Sequence, residues 1–147
     1  MLNTEQYIKT LPSDYEMAQW EANTSFFSRA EMDFFCKLCK YIKGKKVTIS
    51  SKVRIADLVH PKHKLNNSDY YRIFGRTNRK HVDYVILDYT GKILCLIELD
   101  GESHEKISTQ KSDIFKDIFF KRAGLNLERF KNHEKYDFHR LDNYITG

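Results

Sequence analysis

Cysteine, proline and glycine are all scarce in this chain, and it has no long hydrophobic run. The three cysteines are an odd number in a sequence without a secretory signal profile, so we expect free thiols in a reducing cytoplasm. Two prolines and six glycines among 147 residues exclude a collagen-like or low-complexity chain. Because no apolar segment is long enough to cross a bilayer, we expect no membrane partner.

The scarcity of cysteine also argues against a structural zinc site. Cys36 and Cys39 have the Cys-x-x-Cys spacing, but a structural zinc ion needs four ligands and only Cys95 remains to help. The pair lies in a segment with a helical pattern. We therefore interpret both residues as buried thiols on a helix face.

The aromatic content of 14% argues against disorder, and the length suits one domain with a substantial core. Residues 1–26 form a polar-aromatic extension that either packs on the core or contacts a partner. Residues 27–147 are predicted to form the domain itself.

The first half of this domain begins with a helix. Ser28 and Glu31 form a capping box, and Gly44 is placed to end the helix. Alternating apolar residues then predict a strand over Val47–Ile55. The following stretch, Asp57–Lys80, is predicted to be a long polar connection with a turn at 66–69.

The second half alternates strands and helices. His81–Leu87 and Ile93–Asp100 are predicted strands, antiparallel because a short turn-rich link joins them. A helix over Ser108–Ala123 and a strand over Leu125–Phe130 imply a crossover and hence a parallel pairing. With a closing helix over Tyr136–Ile145, the pattern predicts an α/β sandwich with a small mixed β-sheet flanked by helices. The apolar stripe of the 108–123 helix is predicted to consist of Ile114, Phe115, Ile118 and Phe119.

Positive charge is concentrated in the middle of the chain. Residues 43–80 contain eleven Lys or Arg and two Asp, a net charge of +9, so the remainder of this +5 chain carries −4. Aromatic residues at 70, 71 and 74 interleave with arginines. This pattern is typical of a nucleic-acid surface; the alternatives are a solvated basic surface and aromatic rings that cover the sheet edge. The candidate nucleic-acid contacts are Arg54, Lys62, Lys64, Arg72, Arg76, Arg79 and Lys80.

Carboxylates lie on two neighbouring predicted strands. Asp83 is in the first strand, Glu98 and Asp100 share a face of the second, and His104 follows. Buried carboxylates are normally paired, protonated or metal-bound, so convergence of the three acids predicts a cation site. The alternative is that each residue has a separate structural role, such as capping backbone amides or closing a turn.

Several stretches follow one another in a characteristic order. They are the capped helix with Glu31, Arg54-Ile55-Ala56-Asp57-Leu58, His81-Val82-Asp83-Tyr84-Val85, Glu98-Leu99-Asp100-Gly101 with His104 nearby, Asp113-Ile114-Phe115-Lys116-Asp117, Ala123-Gly124 and Arg129-Phe130. This order resembles the PD-(D/E)XK nuclease superfamily, and it is similar to the small domains related to the very-short-patch repair endonuclease. The resemblance covers roughly 27–130 and implies a restriction-endonuclease-like fold.

The sequence departs from the superfamily pattern at two positions. Val82 stands where a proline usually precedes the first acid, and Asp100 stands where a lysine usually follows the second acid. The resemblance implies that Lys116 on the following helix takes the role of that lysine. Lys106 and Lys111 are the alternatives.

The resemblance implies a metal-dependent endonuclease that hydrolyses phosphodiester bonds of DNA. Mg²⁺ or Mn²⁺ would be bound by Asp83, Glu98, Asp100 and the carbonyl of Leu99, since these ions prefer oxygen ligands. The implied catalytic residues are Asp83, Glu98, Asp100, with Lys116 stabilising the transition state and His104 acting as general base or binding a phosphate.

Two other functions remain open from the sequence. A non-catalytic nucleic-acid-binding module on a degenerate nuclease scaffold would bind with a steep salt dependence and cut nothing. A protein-interaction subunit would use the aromatic extension as its docking surface. The expected partner is nucleic acid, in the first place DNA, and cutting of both strands would favour a homodimer or a larger protein complex.

Overall fold

The four strands form one mixed sheet, in which they lie side by side in the order of the chain. The computed structural model describes residues 4–101, 107–132 and 134–145. The first, second and third strands pair antiparallel in turn, and the fourth runs parallel to the third. The antiparallel second and third strands and the parallel fourth strand are as the sequence predicts. The strands are β1 (Val47–Arg54), β2 (His81–Asp88), β3 (Ile93–Asp100) and β4 (Leu127–Lys131).

Helices cover both faces of this sheet, so the predicted α/β sandwich is confirmed. Seven α-helices are described, and a 3-10 helix over Phe138–Leu141 precedes the last of them. No helix in the described ranges is long and apolar enough to cross a membrane. The α-helices are α1 (Thr4–Ile8), α2 (Asp14–Met17), α3 (Arg29–Ile42), α4 (Ile55–Leu58), α5 (Asn67–Thr77), α6 (Ile107–Ala123) and α7 (Asp142–Ile145).

Two hydrophobic cores lie on opposite faces of the sheet. The first core contains Phe34 and Leu38 of α3 together with Tyr84 and Ile97 of the sheet. The second core is smaller and includes Phe120 of α6, with residues of α4 and of the central strands. Accordingly, α3 packs on one face of the sheet and α6 on the other.

The start of α3 follows the sequence prediction closely. The Ser28 hydroxyl accepts a hydrogen bond from the backbone N–H of Glu31, and Glu31 Oε2 accepts one from the Ser28 N–H. The helix stops before Gly44, whose φ of 84° only glycine adopts readily. The predicted burial of both thiols is wrong for Cys36, which is exposed, while Cys39 is partly buried.

The predicted connection over Asp57–Lys80 is wrong in part, because it contains α5. The predicted turn at 66–69 is the N-terminal cap of that helix, where Asn66 Oδ1 accepts a hydrogen bond from the Asp69 N–H at 2.8 Å. All of α5 lies in the described ranges, and Thr77 is its one buried residue. The helical signal in this stretch, which is predicted to be polar, is a spacing of three and four residues among Tyr70, Ile73, Phe74 and Thr77.

The predicted apolar stripe of α6 is wrong for Ile114 and Ile118, whereas Phe119 does pack against the second core. Ile114 and Ile118 are 57% and 51% exposed, whereas Phe120 is fully buried. The side of α6 that faces the sheet carries partly buried polar residues, including Ser112 and Lys116. This inward polar surface brings α6 to the candidate site.

The closing helix over Tyr136–Ile145 is shorter than predicted, as the 3-10 helix and α7 share the segment. At the other end of the chain, the described side chains of residues 4–26 are all exposed. The division into an extension over 1–26 and a domain over 27–147 stays a prediction.

Candidate active site

Strand β2 changes faces at Asp83. Val82 packs in the second core and Tyr84 in the first, although residues two apart on a strand normally share a face. The neighbouring strand β1 changes faces opposite this point, at Lys52, whose φ of 51° is left-handed. The register of the two strands is the same before and after this point. As a result, the Asp83 carboxylate reaches sideways to β3.

The Asp83 side chain, rather than a backbone carbonyl of β2, accepts a hydrogen bond from β3. Its Oδ2 accepts a hydrogen bond from the N–H of Leu99 at 2.8 Å, just beyond the last described pair of the β2–β3 ladder, Tyr84 with Ile97. The N–H and C=O of a strand residue point to the same side, so the Leu99 carbonyl faces the same gap. Asp83 and Leu99 thus lie side by side, and their role as metal ligands stays a prediction.

Glu98 is buried and is held by Lys116. The Nζ of Lys116 lies 2.6 Å from Glu98 Oε1 and also donates to the carbonyl of His81 at 3.1 Å. Since Lys116 comes from the middle of α6 and His81 from the start of β2, this ammonium group connects three elements. The substitute lysine inferred from the resemblance therefore lies beside the second acid.

Burial controls the protonation of both acids. Loss of water, together with the negative charge of Asp83, raises the pKa of Glu98 to about 7, although Lys116 and Arg129 oppose the rise. Burial also raises the pKa of Asp83, against the Leu99 hydrogen bond and the charge of Lys116. The two carboxylates and Lys116 form one electrostatic group, and Arg129 adds a further attraction for the charge of Glu98.

Asp100 belongs to a second charge cluster, which is organised by Arg129 of β4. Its Oδ1 accepts a hydrogen bond from Arg129 Nη1 at 3.1 Å. The same guanidinium donates to Asp117 Oδ1 at 3.0 Å and lies 3.5 Å from Asp113 Oδ1. Arg129 thereby joins β3 and β4 to α6. Asp100 as a metal ligand stays a prediction.

The comparison with known families identifies one match. The family described as "Protein of unknown function (DUF2726)" matches residues 23–147. The chain belongs to this family. No curated protein and no solved structure shows significant similarity to the chain. Asp83, Glu98 and Lys116 all lie within the DUF2726 match, so the candidate site is part of the family region.

The predicted nucleic-acid residues differ in their surroundings. Arg54 makes two hydrogen bonds to Asp57, at 2.9 and 2.8 Å, and Arg72 makes one to Asp69 at 2.7 Å. Lys80 is partly buried and donates to the hydroxyl of Ser112 on α6 at 2.6 Å. Lys62, Lys64, Arg76 and Arg79 are exposed, as are Arg54 and Arg72 beside their acids.

The structure distinguishes among the lysines considered for catalysis. Lys111 is exposed on α6, while Lys116 points to the acids. His104 and Lys106 lie outside the described residues, so the proposed role of His104 stays a prediction.

Sequence reasoning missed the role of Arg129. The resemblance included this residue without a function, and its position as a three-way ion-pair partner depends on the parallel pairing of β3 with β4. That pairing places Glu98 directly beside Arg129 in the register. The predicted crossover could have indicated this role. It implies that β4 pairs in parallel with its neighbour, so that a basic residue on β4 lies next to acids on β3.

The donor set suits a hard divalent cation with few protein ligands. Among the described residues, no group of three or more His, Cys, Asp or Glu side chains is arranged to hold a metal ion. Mg²⁺ usually keeps several waters and is held by one or two carboxylates together with substrate phosphate. Asp83, Glu98 and the Leu99 carbonyl match that smaller requirement.

Proposed function

We propose that this protein is a metal-dependent nuclease that hydrolyses phosphodiester bonds of DNA at Asp83, Glu98 and Lys116. The observation that carries the proposal is the buried ion pair between Glu98 Oε1 and Lys116 Nζ at 2.6 Å, next to a second desolvated acid. Acids with raised pKa values and a specific charge partner are typical of functional sites.

Asp83 and Glu98 are the residues that would hold Mg²⁺ or Mn²⁺. Each carboxylate already has one oxygen oriented by the protein: Asp83 Oδ2 by the Leu99 N–H, and Glu98 Oε1 by Lys116. A bound divalent ion would lower the pKa of a coordinated water and neutralise charge on the phosphate. Its charge would also stabilise both desolvated carboxylates in their ionised form.

Lys116 would supply a fixed positive charge to the phosphate. Its ammonium group is positioned by both Glu98 and the His81 carbonyl, so little reorganisation is needed when negative charge develops. Asp100 is proposed as a further ligand or as the residue that orients a water, and His104 as the general base.

The DNA backbone would be held by the exposed cations of the basic segment. Lys62 and Lys64 precede α5, Arg76 is in its last turn, and Arg79 lies between α5 and β2. Because β2 begins at His81, these cations lead along the chain into the strand that carries Asp83. Phosphate contacts of this kind position a nucleic acid without reading its sequence.

A second candidate function is a non-catalytic nucleic-acid-binding module. The observation that favours it is that Lys116 and Arg129 already neutralise Glu98 and Asp100 through ion pairs. In that case the acids are structural, and no cation is needed to stabilise them.

Cleavage of supercoiled plasmid in Mg²⁺ or Mn²⁺ tests the nuclease proposal. We expect nicked or linear product from the native protein and a loss of about 10²-fold or more in Asp83→Asn, Glu98→Gln and Lys116→Met. The control is Asp33→Asn, an exposed acid of α3 whose partner is Lys37. Cleavage at the native rate by Glu98→Gln would contradict the proposal. So would the absence of cleavage by the native protein in both Mg²⁺ and Mn²⁺.

The same preparation distinguishes the second candidate. A binding module shifts labelled DNA with a steep salt dependence, leaves the strands intact and is unaffected by Asp83→Asn.

A further inference from the structure

Helix α6 packs Phe119 and Phe120 toward the sheet, but it also exposes two isoleucines to solvent. Ile114 and Ile118 are one helical turn apart and more than half exposed. In a lone domain, the apolar side chains of an amphipathic helix normally face the core rather than solvent. Exposed aliphatic pairs of this kind are typical of contact surfaces with another protein segment.

Most of the charge next to this isoleucine pair is positive, and the exposed acid beside it, Asp117, is paired with Arg129. At 100° per residue, positions 111, 114, 118, 121 and 122 fall on one side of α6. The three charged members of this surface are all cations, and all three are exposed. We call this surface the outer face of α6: Lys111, Ile114, Ile118, Lys121 and Arg122.

The N-terminal segment has the complementary character. Residues 4–26, here called the arm, contain four acidic residues, at 5, 14, 16 and 21, and a single basic residue, Lys9. The apolar side chains that the structure describes in the arm are exposed, and Trp20 is the most exposed of them at 85%. The other exposed apolar residues of the arm are Ile8, Leu11, Tyr15, Met17 and Phe26.

The arm leaves the domain on the far side of the sheet from α6. Lys52 Nζ donates to the carbonyl of Phe26 at 2.7 Å, and the ring of Phe27 packs against Phe35 and Tyr84 in the first core. The outer face of α6 lies beyond the second core. An arm that begins beside α3 is therefore better placed to reach the α6 of another molecule.

We propose that the arm of one copy of this chain docks on the outer face of α6 of a second copy, forming a reciprocal homodimer. The isoleucine pair receives apolar residues of the arm, and the surrounding cations face its acids. An arm of 23 residues matches the roughly 20–30 residues that each partner contributes to an ordinary stable interface. The twofold arrangement uses both arms and leaves neither surface exposed.

Trp20 is the single tryptophan of the chain, so its fluorescence reports directly on the arm. As protein concentration rises, we expect its emission to shift to shorter wavelength while light scattering on a sizing column changes from the monomer to the dimer mass. Ile118→Asp should abolish both changes. Tyr89→Asp, which alters an exposed ring on the β2–β3 link, is the matched control and should retain them.

A mixing experiment establishes that docking occurs between copies. One protein carries Ile118→Asp and keeps Trp20, while the other carries Trp20→Phe and keeps its α6 surface. Neither gives a blue shift alone, and the mixture should give one. A blue shift that is independent of concentration and persists without the second protein would mean that the arm docks on its own chain, which overturns the proposal. Unshifted emission with a monomer mass at every concentration overturns it equally.

Discussion

Glu98 Oε1 and Lys116 Nζ lie 2.6 Å apart, with about one tenth of each side chain exposed to solvent, at 10% and 12%. A buried ion pair contributes little net stability compared with an apolar pair, but removing one partner leaves an uncompensated charge. The two residues come from β3 and α6, so this pair also fixes α6 on the sheet. The coupling free energy of this ion pair can be measured without knowledge of the substrate.

We expect Lys116→Met to lower the free energy of unfolding by about 3 kcal/mol at pH 8, because it leaves the Glu98 carboxylate buried and unpaired. The double variant Glu98→Leu with Lys116→Met should recover most of this loss. Urea unfolding of the native protein, both single variants and the double variant provides the measurement. Losses that simply add in the double variant would show that the pair is not coupled.

Stability should decrease as pH rises through neutrality. Burial raises the pKa of Glu98 to about 7 from its ordinary value of 4.5. Between these pH values the Glu98 carboxyl is protonated in the folded protein but ionised in the unfolded chain. The stability linked to this proton is therefore fully present below about pH 4.5 and is lost as pH rises through about 7. Urea midpoints from pH 5 to 8, in buffer with a chelator, should show this decrease in the native protein and a weaker one in Glu98→Gln. Equal slopes for the two proteins would refute the assignment.

The loss of folding stability at acid pH should depend on Asp142. Its Oδ1 accepts a hydrogen bond from the Tyr41 hydroxyl at 2.5 Å and lies 3.2 Å from Lys45 Nζ, and Oδ2 lies 3.1 Å from His139 Nδ1. Hydrogen bonding by Tyr41 and His139 lowers the pKa of Asp142 to about 2. The stabilisation is therefore present above about pH 4 and is lost as pH falls toward 2.

Asp142→Asn should be less stable than the native protein at pH 5, and the difference should become small near pH 2. Thermal unfolding at the two pH values measures it, with the exposed Glu134→Gln as control. A deficit of the same size at both pH values would indicate lost packing rather than a lost charge.

Removal of exposed cations should weaken DNA binding through its salt dependence. We expect Arg76→Gln and Arg79→Gln each to reduce the slope of log K against log salt by about 1, since each cation releases about one counterion. Arg54→Gln is the matched control, because Asp57 already holds that guanidinium. A slope unchanged by Arg76→Gln and Arg79→Gln would place the DNA surface elsewhere.

The hairpin and the parallel strand could be predicted from local sequence. Two-residue alternation and a turn-rich link define β2 and β3, and a helix that precedes a strand requires a crossover. Consequently the strands that carry Asp83, Glu98 and Arg129 are all recovered in the predicted order.

Other features depend on tertiary contacts that no local pattern reveals. The inward face of α6 combines Phe120 with polar residues that contact Glu98 and Lys80. An apolar stripe drawn from spacing alone therefore includes Ile114 and Ile118 wrongly. The position of the Asp83 carboxylate depends on the left-handed backbone of Lys52, a residue type that rarely adopts it. By contrast, the apolar residues of α5 do recur at helical spacing, which the prediction of a polar connection overlooks.

The central claim is that Asp83 and Glu98 together hold a divalent cation. Titration of Mn²⁺ into the metal-free protein, with free Mn²⁺ counted by electron paramagnetic resonance, tests it most directly. We predict saturable binding by the native protein that is weakened at least about tenfold in Asp83→Asn and in Glu98→Gln, and unchanged in Asp33→Asn. Native-like binding by both site variants, or no saturable binding by the native protein, would contradict the account.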